Sequence, residues 1–296
     1  MIHNSRFTSA LGNHPVSISL TWQAKFRIVA SNRSYYAMET IDIHTHVIFQ
    51  GSEPSREAAA RMIEFAQSCG IGRMVVLGDV AAYGRNPDPG QIRTLNDQTL
   101  ALMRWFPQTL IGFCYLNPRH GEEFNREETG RCVLAGGCKG IKLWPALNGS
   151  DRRVDHVYEI AEALDLPILQ HAWETIVIKS RDWQTNPFDV AVVARRFPRV
   201  QIIMAHLTAG SVCGVLAVQG CPKVSIDTSG AQPFRGVIEY AVDKIGSNRV
   251  VFGSDVRVRD FPSQLGRVMG AEINAVDREN ILYRNAERLL KLEPAE

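Results

Sequence analysis

Apolar residues along this chain collect into short runs separated by segments of helical spacing. β-Branched and aliphatic residues dominate Thr40 to Val47, Arg73 to Leu77, Leu110 to Leu116, Gly140 to Leu143, Pro167 to Gln170, Val200 to Ala205, Lys223 to Asp227 and Arg249 to Phe252. Runs this short, with little polar alternation, are the mark of strands buried on both faces. Between them the period changes. After Ser55, residues Ala58, Met62 and Phe65 fall on one helix face, and Gly70 closes the segment. A second helical pattern runs from Gln91 to Phe106 and stops at Pro107. Others cover Glu122 to Ala135, Val154 to Leu164, Phe188 to Phe197, Gly210 to Val218, Phe234 to Lys244 and Asp277 to Leu290. Strands alternating with helices predict a parallel sheet with crossover helices. Eight such units in roughly 250 residues predict an α/β fold of the (β/α)8 TIM-barrel type, in a single domain. A doubly wound sheet would carry a Gly-rich phosphate turn after its first strand, and His-Thr-His stands there instead.

The first 38 residues do not join this alternation. Met1 to Met38 holds no acidic residue, and Arg6, Lys25, Arg27 and Arg33 are its basic ones. The stretch reads as a disordered tail or as sequence upstream of a start at Met38, with an organellar transit peptide as the other reading. Residues 1–38 are therefore assigned to an N-terminal extension and residues 39–296 to the barrel. At 296 residues and 45% hydrophobic the chain can bury a large core. A net charge of +2 with scattered basic residues argues against nucleic acid as a partner. No apolar run approaches the roughly 18 residues of a membrane span. Cys69, Cys114, Cys132, Cys138, Cys213 and Cys221 form no CxxC pair and read as free thiols, which suits the cytoplasm.

Chemistry enters at the strand ends. His44 and His46 are two residues apart on the first predicted strand, so both imidazoles leave the same face. His171 follows Pro-Ile-Leu-Gln, His206 follows Ile-Ile-Met-Ala, and Asp255 follows Val-Val-Phe-Gly-Ser. Lys142 lies within Gly-Ile-Lys-Leu-Trp-Pro. In such a barrel the carboxyl ends of the strands form the active-site rim. Five metal-capable side chains thus converge on one rim. Asp227, in Ile-Asp-Thr-Ser, is placed to orient a ligating histidine or to cap the next turn, and His120 follows the third strand in a loop near the same rim.

These motifs resemble the amidohydrolase superfamily, in particular the amidohydrolase-related branch that also contains metal-dependent decarboxylases. The likeness runs from Glu39 to about Leu292. Ile-Asp-Ile-His-Thr-His resembles the first-strand metal pair, and Gly-Ile-Lys-Leu-Trp-Pro the fourth-strand motif, with Trp144 where His or Tyr is more usual. Gln-His-Ala, Ala-His-Leu, Ile-Asp-Thr-Ser-Gly and Gly-Ser-Asp resemble the later strands. After Asp255 the chain reads Val-Arg-Val-Arg where an aromatic-Pro pair is common, which alters the substrate loop.

The resemblance implies a metal shell of His44, His46, His171 and Asp255, holding Zn²⁺ or Mn²⁺, one per chain. Such a shell leaves a position for water, whose pKa falls toward about 7. It implies catalytic roles for Asp255, His206 and Lys142. Lys142 is either carbamylated between two metals or an ammonium that holds a substrate carboxylate. Trp144 and Trp173 are expected to wall the pocket for a small anionic substrate, an aromatic acid or a lactone acid. Tyr83, Trp183, Arg85, Arg181, Arg257 and Arg259 fall in nearby loops. The family likeness leans toward a homo-oligomer. The leading functional expectation is a metal-dependent hydrolase of an amide, cyclic amide or lactone. A decarboxylase of an aromatic or unsaturated acid on the same site is the alternative. A non-catalytic barrel would show eroded ligands, and here all are present.

Overall fold

The computed structural model describes residues 40–46, 54–173, 182–207, 209, 212–230 and 234–292. The chain divides into two compact units, residues 1–37 and 38–296, and every described residue belongs to the second. The predicted extension of residues 1–38, Val47 and Arg181 lie outside the described residues.

Eight parallel strands follow one another in sequence order: β1 (Thr40–Thr45), β2 (Ile71–Val76), β3 (Leu110–Leu116), β4 (Gly140–Leu143), β5 (Ile168–Gln170), β6 (Ile202–Met204), β7 (Val224–Asp227) and β8 (Val250–Val251). Backbone bonds bring the ends of the sheet together into a barrel. The Ile43 amide donates to the Phe252 carbonyl at 2.9 Å, and the Asp255 amide donates to the His44 carbonyl at 2.8 Å. The helices are α1 (Arg56–Ser68), α2 (Pro89–Trp105), α3 (Gly121–Thr129), α4 (Asp155–Leu164), α5 (Pro187–Arg196), α6 (Cys213–Ala217), α7 (Val237–Ile245), α8 (Phe261–Met269), α9 (Ala275–Glu279) and α10 (Asn285–Leu290). None is long and apolar enough to cross a membrane.

Strand alternation divides the core. Val76, Leu116, Ile168, Met204 and Ile226 pack with helix residues such as Val157, Val193 and Ile238. The neighbouring residues Leu77, Tyr115, Leu169, Ile203 and Val251 belong to a second cluster, which also takes in Ile41 and Ile43 of β1 and helix residues such as Ile92, Leu95 and Leu289. On β1, Ile41 and Ile43 take apolar neighbours, which leaves Asp42, His44 and His46 together on the other face.

Three departures from the sequence pattern have physical causes. Helix α8 is not in the predicted set. Its buried face is Phe261, Gln264 and Val268, so a glutamine interrupts the apolar period, although Asp260 caps it by accepting from the Ser263 amide at 2.8 Å. The helix expected over Glu122–Ala135 is α3 followed by a wide π turn, Gly130–Ala135. The last helix is also split, by a π turn at Asn280–Arg284. Within that turn the Ile281 carbonyl accepts from the Phe252 amide at 2.8 Å, a bond between the end of β8 and the closing helix.

Candidate metal centre

The centre is built on three strand ends and two unusual backbone turns. His44 and His46 leave β1 on the inward face and are 1% and 2% exposed. His206 follows β6 with φ +71°, and Asp255 follows β8 with φ +56°. A non-glycine residue held in the left-handed region costs about 1–3 kcal/mol and persists only where surrounding bonds over-determine it. Those bonds are present. The His206 amide donates to Asp227 Oδ1 at 2.9 Å, the Leu207 amide to the Ser229 carbonyl at 2.9 Å, and the Asp255 amide to His44 as above.

The donor atoms of His44, His46 and Asp255 all lie within 4.8 Å of one another. Asp255 Oδ1 is 3.6 Å from His44 Nε2 and 3.3 Å from His46 Nε2. Ligands about 2.1 Å from a tetrahedral ion stand about 3.4 Å apart, so the donor set fits a divalent metal such as zinc. His44 Nδ1 is occupied by Asp227 Oδ2 at 2.8 Å, which turns Nε2 toward the other donors. A second close group, His44, His206 and Asp227, is a hydrogen-bond network, since Asp227 is engaged by His44, His206 and Ser229.

His171, after β5, stands beside this triad. Its ring lies 5.2 Å edge-on from His206 and 4.8 Å from Trp144, and its buried Nδ1 has no hydrogen-bond partner among the described residues. An unsatisfied imidazole nitrogen next to two other histidines is a donor waiting for a ligand. Lys142, wholly buried on β4, places Nζ 3.3 Å from His44 Nε2. Trp173 packs edge-on against His206 at 5.4 Å. The predicted residues His44, His46, His171, His206, Lys142, Asp255, Trp144 and Trp173 therefore meet in one cluster.

Burial sets their charge states. It holds His44 and His171 below the ordinary imidazole value and brings His206 down to about 4, so these rings are neutral at pH 7 and can act as ligands or bases. Burial also brings the Lys142 ammonium down to about 8. For Asp255, burial opposes the charge, but the hydrogen bond from His46 and the histidines around it outweigh burial and hold the carboxyl below its usual range.

Other candidates are structural. His120 Nε2 lies 2.6 Å from the Pro87 carbonyl, and its ring packs edge-on against Phe124 at 5.6 Å. The Arg85 guanidinium sits 4.2 Å over Trp183, joining loops after β2 and β5, strands that are not neighbours. Tyr83 and Arg257 are exposed.

Two inward residues escaped the sequence reading. Asp42 is fully buried below His44, accepts from the His44 and Ser254 amides at 3.1 and 2.9 Å, and is raised to about 7 by burial. Ser229, also fully buried, lies 2.9 Å from His206 Nδ1. The signal for both was parity, since Asp42 is two residues before His44 and Ser229 two after Asp227.

The amidohydrolase family model matches residues 41–292, and the chain belongs to that family of enzymes. A search of curated proteins finds no match. Among solved structures, 2,6-dihydroxybenzoate decarboxylase from Rhizobium is 19% identical, with a TM-score of 0.68 over 86% of this chain and 99% of that one. A dihydroxybenzoic acid decarboxylase from Polaromonas, with bound manganese and the inhibitor 2-nitroresorcinol, is 17% identical, with a TM-score of 0.67 over 86% and 98%. A 5-carboxyvanillate decarboxylase from Novosphingobium aromaticivorans, complexed with manganese, is 15% identical, with a TM-score of 0.68 over 87% and 97%. At these identities the likeness is one of fold.

Proposed function

We propose that this protein is a metal-dependent decarboxylase that releases the carboxyl group of an aromatic acid as carbon dioxide. The observation that carries the proposal is the pair of tryptophan rings set against the histidine cluster, Trp144 at 4.8 Å from His171 and Trp173 at 5.4 Å from His206. Flat walls beside donors for a divalent ion suit a planar ring bearing an anionic group. The manganese-bound relatives, which are decarboxylases of benzoic acids, support the same reading. The expectation of a hydrolase thus yields first place to its alternative.

His44, His46, His171 and Asp255 are assigned to one zinc or manganese ion, which when bound supplies a Lewis acid for substrate oxygens. Lys142 is the buried cation that holds a substrate oxygen. The ring carbon takes up a proton as its bond to the carboxyl carbon breaks, and the electron pair of that bond forms the new C–H bond. His206 and Asp255 are the groups placed to move the proton. Trp144 and Trp173 hold the ring.

Hydrolysis is the second reading. It is favoured by two proton acceptors at the donor set, the Asp255 carboxylate 3.3 Å from His46 and the neutral His206 ring. One experiment separates the two. Zinc- or manganese-loaded protein is incubated in deuterated water with hydroxybenzoic acids, and in parallel with lactones and amides. Carbon dioxide release with deuterium on the vacated ring carbon is expected. Ring opening of a lactone or cleavage of an amide, without carbon dioxide, would move the assignment to hydrolase. No turnover of any of them by metal-loaded protein would overturn both.

A further inference from the structure

Asp227 reaches two histidines of the cluster, one directly and one through a hydroxyl. Its Oδ2 lies 2.8 Å from His44 Nδ1. Its Oδ1 accepts from the amides of His206 and Ser229 at 2.9 and 3.0 Å, and from the Ser229 hydroxyl. Ser229 Oγ in turn lies 2.9 Å from His206 Nδ1. Asp227 and Ser229 are wholly buried, and His206 is 5% exposed, so no bulk water competes for these bonds.

The direction of each bond follows from counting protons. A carboxylate offers lone pairs and has no proton to give, so His44 Nδ1 and Ser229 Oγ are both donors to Asp227. Serine has a single hydroxyl proton. With that proton on Asp227, Oγ faces His206 with lone pairs alone, and a 2.9 Å contact then requires a proton on His206 Nδ1. A neutral imidazole protonated at Nδ1 is bare at Nε2. In the opposite arrangement Ser229 would turn its proton onto His206 and leave the lone pairs of its Oγ directly against those of Asp227 Oδ1, with no proton between two oxygens in contact. That exchanges a charge-assisted bond for a neutral one, the weaker of the two.

We infer that Ser229 is a positioning residue that fixes His206 as the Nδ1–H tautomer, so that Nε2 meets the substrate as a proton acceptor and not as a donor. Asp227 thereby sets the tautomers of two residues, His44 by direct contact and His206 through Ser229. The left-handed backbone of His206 serves the same end. It allows the ring and the amide of one residue to bond to β7 together, with the Leu207 amide on the Ser229 carbonyl as the third tie. The ring lies among those of His44, His171 and Trp173, which are 5.5, 5.2 and 5.4 Å away. In the decarboxylase reading Nε2 takes a proton from a substrate hydroxyl or water before passing it on. That catalytic role rests on the proposed function, whereas the tautomer does not.

The test is a long-range proton–nitrogen correlation spectrum of zinc-loaded protein labelled with ¹⁵N-histidine. The His206 signals are identified by their absence in His206→Asn. At pH 7, His206 is expected to show a protonated Nδ1 and an unprotonated Nε2. A protonated Nε2 in the unmutated protein would overturn the inference without any further variant. Ser229→Ala is expected to move His206 toward the Nε2–H form and to lower kcat by about 10–100-fold with KM within about twofold. Ser229→Thr keeps the hydroxyl and is expected to retain the original spectrum and rate. An unchanged His206 spectrum in folded Ser229→Ala would overturn the role of Ser229. If Ser229→Ala does not fold, the unmutated and Ser229→Thr spectra decide. Absence of both decarboxylation and hydrolysis would end the proposed function while leaving the spectrum to be read on its own.

Discussion

Glu128 on α3 and Asp227 at the end of β7 are both buried carboxylates, 1% and 0% exposed, and they use their hydrogen bonds differently. Glu128 Oε1 accepts from Asn96 Nδ2 at 2.7 Å and from Arg131 Nη2 at 2.6 Å, while Oε2 accepts from Arg131 Nε at 3.0 Å. Asn96 spends its remaining capacity on the Tyr115 amide and carbonyl, at 2.7 and 2.9 Å. That network closes on the backbone of β3 and ties α2 and α3 to it. Asp227 instead binds His44 and Ser229, and each of these hands polarity onward, to the candidate metal donors and to His206. A satisfied buried network specifies packing, whereas one whose outer members stay open can hold a ligand. The difference lies in where the bonds end, since both carboxylates are buried and fully engaged.

The comparison can be broken most strongly at the open end. His44→Ala/His46→Ala is expected to lose nearly all bound metal and to lower turnover by on the order of 10³-fold or more, measured by mass spectrometry of metal per chain beside the assay. Retention of metal in this variant would remove the donor set from the centre. Next comes the closed network. Glu128→Ala removes the buried acceptor that Arg131 and Asn96 share and is expected to cost about 2–4 kcal/mol in urea unfolding, with kcat of the folded protein unchanged. A fall in kcat instead would show that the two networks are coupled.

Asp227→Asn is expected to weaken zinc affinity by about 10–100-fold in a chelator competition, because His44 loses the acceptor that orients it. An unchanged affinity would mean that β1 alone aims the ring. The smallest effect is in pH. Burial pushes Glu128 up, but hydrogen bonds from Arg131 and Asn96 prevail and hold its carboxyl below the usual value. Its contribution to stability is therefore complete above the unfolded value of about 4.3 and is lost as pH falls through the lower folded value. Unfolding of the unmutated protein should steepen with acid below about pH 4.3, and Glu128→Gln should remove that part of the slope. Parallel acid profiles would show that the pair contributes nothing through charge.

Much of the barrel could be read from the chain because strand and helix periods are local. The alternation from Thr40 to Leu290 predicted all eight strands, and the positions of His44, His46, His171, His206 and Asp255 at strand ends predicted the rim on which they meet. Helix α8 was not legible, since Gln264 fills an inward position that periodicity reserves for an apolar residue. The π turn at Asn280–Arg284 was not legible either, because the bond it makes goes to Phe252, far back in the chain.

The sequence by itself determined the fold class, the face on which each β1 residue points, and the chemical types gathered at the rim. Those properties depend on residues within a few positions of one another. Only the tertiary structure decided that Asp227 grips His44 across 183 residues and that Ser229 stands between Asp227 and His206. It also decided that Asp255 takes a left-handed turn to face His46. Each of these depends on closing the barrel, which brings β1, β7 and β8 side by side. A hydrogen bond is sensitive to tenths of an ångström, and no local pattern of hydrophobic and polar residues carries that information.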